Sequence, residues 1–162
     1  MEFQLYERKF KLVDDVLYSY YKKGKSKTED WHLVKLSLNN KGYKFFSFKV
    51  KGKTKYFLYH RVVYLANNPT WDLFDSSKEN VIDHIDCVKT NNHISNLRNV
   101  TNQENGFNTR CKGYSFHKAS GKYEARIRLN RKNIYLGCYD TPEEAHEAYL
   151  NKKEEVHIIR AR

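Results

Sequence analysis

A chain of 162 residues with net charge +11 has room for one compact domain or two small modules. Thirty Lys and Arg against 19 Asp and Glu, beside 13 Tyr and 9 Phe, point to a polyanionic partner. No apolar run approaches the ~20 residues of a membrane span, and the N-terminus lacks a signal-peptide core, so a cytoplasmic protein without membrane contact is expected. Cys87, Cys111 and Cys138 fall at neither zinc-like nor disulfide-framework spacing and read as reduced thiols. Residues 1–57 hold 14 basic and 6 acidic side chains, residues 58–111 hold 5 and 6, and residues 112–162 hold 11 and 7. Two basic flanks therefore enclose a nearly neutral centre.

In chain order, residues 1–30 say least. The apolar positions from Phe10 to Tyr21 fit a helical stripe or a pair of strands, and a charged loop with Gly24 and Ser26 follows. From Trp31 the pattern turns to β. An Asn39-Asn40-Lys41-Gly42 turn leads into 43–50 and 53–59, two strands around a Lys51-Gly52 turn in which Gly supplies the positive φ. Period 2 puts Phe46, Phe48 and Val50 on one face and Phe45, Ser47, Lys49 and Lys51 on the other. Such a ribbon is narrow enough for a major groove, with Lys44, Lys49, Lys51, Lys53 and Lys55 as candidate DNA contacts. Solubilising lysines on an exposed edge are the plainer reading. His60 to Ala66 then reads as a short buried helix stopped at Asn67-Asn68-Pro69.

The chain is organised around 81–108. A β-branched pair, Val81-Ile82, delivers Asp83-His84 to the end of a strand. A polar loop from Asp86 to Ser95 follows, in which Asp86, Asn91, Asn92 and His93 read as loop-shaping residues. Residues 96–100 form a second strand, and Thr101-Asn102-Gln103-Glu104 is a capping box that starts a helix at Asn102 carrying Asn105. This stretch resembles the HNH nuclease motif, the ββα-metal finger, in the His-Asn-Asn form of phage and intron-encoded homing endonucleases. His84 matches the first His, Asn96 the central Asn, and Asn105 takes the place of the last His. The resemblance implies His84 as general base and Asn96 as the residue orienting it. It also implies Asp83 and Asn105 as ligands of one Mg²⁺ or Mn²⁺ ion per active site. Histidine suits the first role because its ordinary pKa lies near neutrality. His60 is a candidate auxiliary group, and Arg61, Arg98 and Arg110 are candidate DNA contacts.

Residues 112–157 read as three strands and a helix. Lys122 to Leu129 alternates, with Tyr123, Ala125, Ile127 and Leu129 inward, and Ile134, Leu136 and Cys138 are expected to repeat the apolar face. Thr141-Pro142-Glu143-Glu144 is a second capping box, ahead of a helix with Ala145, Ala148, Tyr149 and Val156 on its apolar stripe. This part resembles the Apetala-two (ethylene-response-factor) DNA-binding domain, with Tyr123 and Tyr135 where Trp is usual. The resemblance implies a DNA-facing sheet carrying Lys122, Arg126, Arg128, Arg131 and Lys132.

The expected fold class is α+β: a β-hairpin-rich region over 1–56, a ββα-metal core over 57–111, and a three-stranded antiparallel sheet packed on one helix over 112–162. The expected function is metal-dependent, site-specific cleavage of double-stranded DNA, nicking one strand as a monomer. A non-catalytic DNA-binding regulator and a restriction or defence nuclease are the alternatives.

Overall fold

The computed structural model describes residues 1–25 and 27–160, so Ser26 of the expected charged loop lies outside the described residues. The chain forms two compact units, residues 1–101 and 102–160. It is a mixed α+β protein of small antiparallel sheets and three helices among the described residues.

The first unit opens with a four-stranded meander, β1 (Glu2–Leu5), β2 (Arg8–Val13), β3 (Val16–Tyr21) and β4 (Asp30–Leu33), paired in chain order. Of the two readings of Phe10 to Tyr21, the strand pair is the one formed. Asp14 and Asp15 both take positive φ, 47° and 58°, which closes a two-residue hairpin whose twist matches its strands. Phe10, Leu12 and Leu17 point inward and are buried.

A second sheet follows, β5 (Ser37–Leu38), β6 (Lys44–Val50) and β7 (Lys53–Leu58). Lys51 and Gly52 turn at φ 46° and 78°, as expected, and Phe46 and Phe48 are buried. Helix α1 (Tyr59–Asn67) buries Tyr59, Val62, Val63 and Ala66, a spacing that makes one continuous stripe. Val62 and Val63 have no exposed surface, worth roughly 1.5–3 kcal/mol each by burial. The helix stops where the Asn67 and Asn68 carboxamides cap the Val63 and Tyr64 carbonyls, at 2.8 and 3.0 Å, just before Pro69. Strands β8 (Val81–His84) and β9 (Leu97–Val100) pair antiparallel, and Ile82 and Leu97 join the same core. That core contains three stacked rings from two strands: Phe57 lies 5.0 Å from Phe48 and 5.5 Å from Phe46.

The second unit begins with the short helix α2 (Asn102–Phe107), at the residue the capping box predicts. Strands β10 (Tyr114–His117), β11 (Lys122–Leu129) and β12 (Lys132–Tyr139) form an antiparallel sheet packed on α3 (Pro142–Val156). The expected cap of α3 is present: Glu144 N donates to Thr141 Oγ1 (3.3 Å), and Thr141 N donates to Glu144 Oε2 (3.2 Å). Ala125, Ile127, Ala145 and Tyr149 are buried between sheet and helix. Gly113 takes φ 74°, and a Cβ there would lie 1.9 Å from the Tyr149 ring, so only glycine fits. One expectation is corrected. Cys138 does not share the inner face with Ile134, because the β11–β12 register shifts at Ala125/Arg126. Ala125 then pairs with Gly137 and Arg126 with Tyr135. The shift turns Cys138 outward beside Glu124, where it is exposed and accepts the Tyr135 hydroxyl at 3.1 Å.

Candidate active site

Strand β8 ends at His84, and both Asp83 and His84 are about 5 % exposed. Asp83 pairs in register with Arg98 of β9, whose Nε and Nη2 both donate to Asp83 Oδ2, at 2.9 and 2.8 Å. A carboxylate this deep needs such a partner, since unpaired burial of its charge is costly. Tyr43 stands near both groups. Its ring centroid is 6.0 Å from that of His84, and its hydroxyl pKa is raised by burial and then by the Asp83 charge.

The loop that returns from His84 to β9 is tied through Asp86. Its carboxylate accepts Val88 N (2.8 Å), Asn96 Nδ2 (2.9 Å) and Asn91 Nδ2 (2.7 Å). Those bonds hold the Asp86 pKa below the usual carboxylate range, the Val88 amide contributing most. Asn96 gives its second N–H to Asn91 O (2.8 Å) and accepts Asp86 N on Oδ1 (3.0 Å). The Asn96 carboxamide thus closes the loop on itself.

The side chain that meets the catalytic candidate is Asn92. Its Nδ2 donates to Thr90 O at 3.2 Å, which turns Oδ1 toward His84 Nε2 at 2.9 Å. An amide oxygen can only accept, so in this contact Nε2 is the donor. Asn92, expected among the loop-shaping residues, makes this bond to the ring, while the Asn96 carboxamide bonds Asp86 and Asn91. The Asn91-Asn92 pair five and four residues before Asn96 was the signal, but one carboxamide cannot be told from its neighbour by residue type.

His60 packs against this imidazole, with ring centroids 4.9 Å apart, and Tyr43 lies 5.1 Å from His60 on another side. His60 is about 5 % exposed. Burial lowers its pKa to about 3, helped by the neighbouring His84 and Arg61. It therefore stays neutral at cellular pH and is a packing and positioning group rather than a proton donor there. Between about 6.5 and about 3 the unfolded chain takes up a proton here that the folded chain refuses, so folding stability rises with pH across this window. Titration of urea unfolding should show His60→Gln flattening the acid limb relative to wild type, by up to roughly 1.4 kcal/mol per pH unit.

The order strand, clipped loop, strand, helix is reproduced by β8, β9 and α2. Residues 57–107 match the family model described as HNH endonuclease. No curated protein and no solved structure matches the chain. The HNH segment runs from the last two residues of β7 through α2, so it takes in α1 and the His84 loop. Among the described residues no cluster of three or more His, Cys, Asp or Glu is arranged around a metal position, and no helix is long and apolar enough to cross a membrane. Asn105 lies half-buried on α2 in the second unit.

The structure gives several of the candidate DNA-contact residues of the HNH segment other tasks. Arg61 is turned inward: Nη2 donates to Leu73 O (2.8 Å) and Asp75 O (3.1 Å), and the guanidinium lies 4.8 Å over Trp71. It fastens the 73–80 loop. Arg98 is held by Asp83, while Arg110 is exposed after α2. Lys44 lines a cleft of about 230 Å³ with Asp15, Tyr59 and residues 90–93. In the β6–β7 ribbon, Lys49 shares the outer face with Thr54, whereas the register puts Lys55 opposite Phe48 and Lys53 opposite Val50. On the C-terminal sheet Lys122 pairs with Asp140 (3.0 Å) and Arg126 with Glu124 (2.5 Å). Arg128, Arg131 and Lys132 are exposed at the far end of the same hairpin.

Proposed function

We propose that the chain is a site-specific, divalent-metal-dependent endonuclease of the homing type that nicks one strand of double-stranded DNA as a monomer. The HNH match makes DNA the substrate class. The observation that carries the mechanism is the Asn92–His84 bond, which holds the imidazole from its Nε2 side. In this reading Nδ1 removes a proton from water, the water oxygen attacks the phosphorus, and the 3′-oxygen leaves. His60 and Tyr43 exclude bulk water from one side of the imidazole and hold its plane.

The donor chemistry fits a hard cation. Asp83 offers carboxylate oxygen at the end of β8, and Asn105, the second ligand implied by the motif, offers amide oxygen. Mg²⁺ keeps several waters and asks for few protein oxygens, and Mn²⁺ tolerates the same set. A bound ion would supply the positive charge that offsets the phosphoryl and leaving oxygens. Residues 1–56 and 112–162 would both contribute grip on the target. In this reading the C-terminal sheet is the reader, and the exposed Arg126, Arg128 and Arg131 support that role.

The test is conversion of supercoiled plasmid carrying candidate target DNA. Open circles with Mg²⁺ and none with EDTA is the expected result. Linear product would keep the chemistry and replace the monomeric nick by paired cutting. Salt-sensitive binding with no cleavage under any divalent ion would overturn the enzyme in favour of a DNA-binding regulator.

A further inference from the structure

The inner face of the β1–β4 meander is used up on the core, through Leu5, Phe10, Leu12 and Leu17. Its outer face is built differently. Register places Lys9, Tyr20 and Trp31 in one cross-strand row, and Lys11, Tyr18 and Leu33 in the next. The three rings are half-buried, as rings lying along a sheet should be, and Leu33 is 66 % exposed. Tyr20 and Trp31 stand 5.2 Å apart. Lys11 Nζ lies 4.6 Å from the Trp31 ring and 5.3 Å from that of Tyr18. The acid on these rows is Glu2, beyond Lys11 on the β1 edge.

We infer that this outer face binds single-stranded DNA, with bases stacked on Tyr18, Tyr20 and Trp31 and phosphates drawn to Lys9 and Lys11. The chemistry selects the occupant. Every base has a π face, but in a duplex those faces are covered by neighbouring base pairs, so only unpaired bases can reach flat rings. Lysines on β2, one strand from the β3 rings and two from Trp31 on β4, supply the charge that a phosphate backbone beside stacked bases requires. Cations resting on the rings are exchangeable for phosphates at small cost, because both partners are solvent-accessible. Stacking without hydrogen-bond readout would make the site tolerant of sequence. The choice of DNA over RNA rests on the HNH reading. The site itself does not.

The measurement is fluorescence anisotropy of the full chain in EDTA, which separates binding from cleavage. Labelled oligodeoxythymidylate is compared with a duplex of equal length and with oligouridylate. Trp31→Ala and Tyr20→Ala should each weaken single-strand binding by about tenfold and duplex binding by less than about twofold. Trp31→Phe should restore most of the loss, and Lys9→Gln with Lys11→Gln should flatten the salt dependence for the single strand. These lysine changes on an exposed face also guard against a Trp31 variant that fails to fold. Equal losses for duplex and single strand, or no loss with any of these variants, would overturn the proposal. Tighter binding of oligouridylate would overturn the assignment to DNA. Plasmid cleavage that fails while single-strand binding behaves as described would remove the nuclease reading and leave this site standing.

Discussion

His84→Ala is expected to slow plasmid cleavage by about 10²–10⁴-fold, the range over which a positioned general base contributes. The variant loses packing against His60 and Tyr43 and so some stability, but should stay folded, since Asp83–Arg98 and the Asp86-tied loop remain in place. Asn92 gives the sharper test, because it touches the base and nothing downstream of it. Asn92→Leu removes the acceptor that fixes Nε2–H and should cost about 10–100-fold in rate. Asn92→Asp, which can still accept that N–H, should recover much of it. A purely structural loop residue would not be rescued in this way. Single-turnover rates with saturating Mg²⁺ check both, and an Asn92→Leu enzyme as fast as wild type would remove Asn92 from the site.

Phe10→Ala should destabilise the first unit by about 3–5 kcal/mol in urea or thermal unfolding. Phe10 is about 1 % exposed and its ring centroid lies 5.7 Å from Phe3, 5.6 Å from Phe46 and 5.5 Å from Phe48. Those contacts join the N-terminal meander to the sheet ahead of α1, within one cluster that also holds Val62, Ile82 and Leu97. Loss of this ring should therefore lower cleavage at 37 °C although it lies far along the sequence from His84. Val13→Ala, exposed on the same hairpin, should change stability by no more than about 0.5 kcal/mol.

The sequence was most readable where a residue type has one structural meaning. Lys51-Gly52 announced its turn, Thr141 and Glu144 announced a helix start, and the His84–Asn96–Asn105 spacing announced the HNH segment that the family match covers. It was least readable where geometry comes from context. Asp14 and Asp15 turn a hairpin at positive φ without glycine, so the strand pair competed with a helical stripe until its partners were placed. The register shift opposite Ala125 leaves no trace in the alternation of β12, and so it hid the outward turn of Cys138. Arg61 reads as a candidate DNA contact from the His60-Arg61 pair that opens its helix, ahead of Asp83-His84. Carbonyls at 73 and 75, set by a loop with no repeating pattern, drew it inward.

The double hydrogen bond from Arg98 to Asp83 has a bearing on how the protein lives between reactions. Many metal-dependent domains cannot fold until the ion arrives, because clustered carboxylates repel one another. Here the counter-charge is already part of the β-ladder, since Arg98 sits directly across from Asp83. The Asp83 charge is thereby balanced within the fold by a residue of the chain itself. If the proposed ion binds at Asp83, its uptake would be a late step added to a finished scaffold rather than one that builds it.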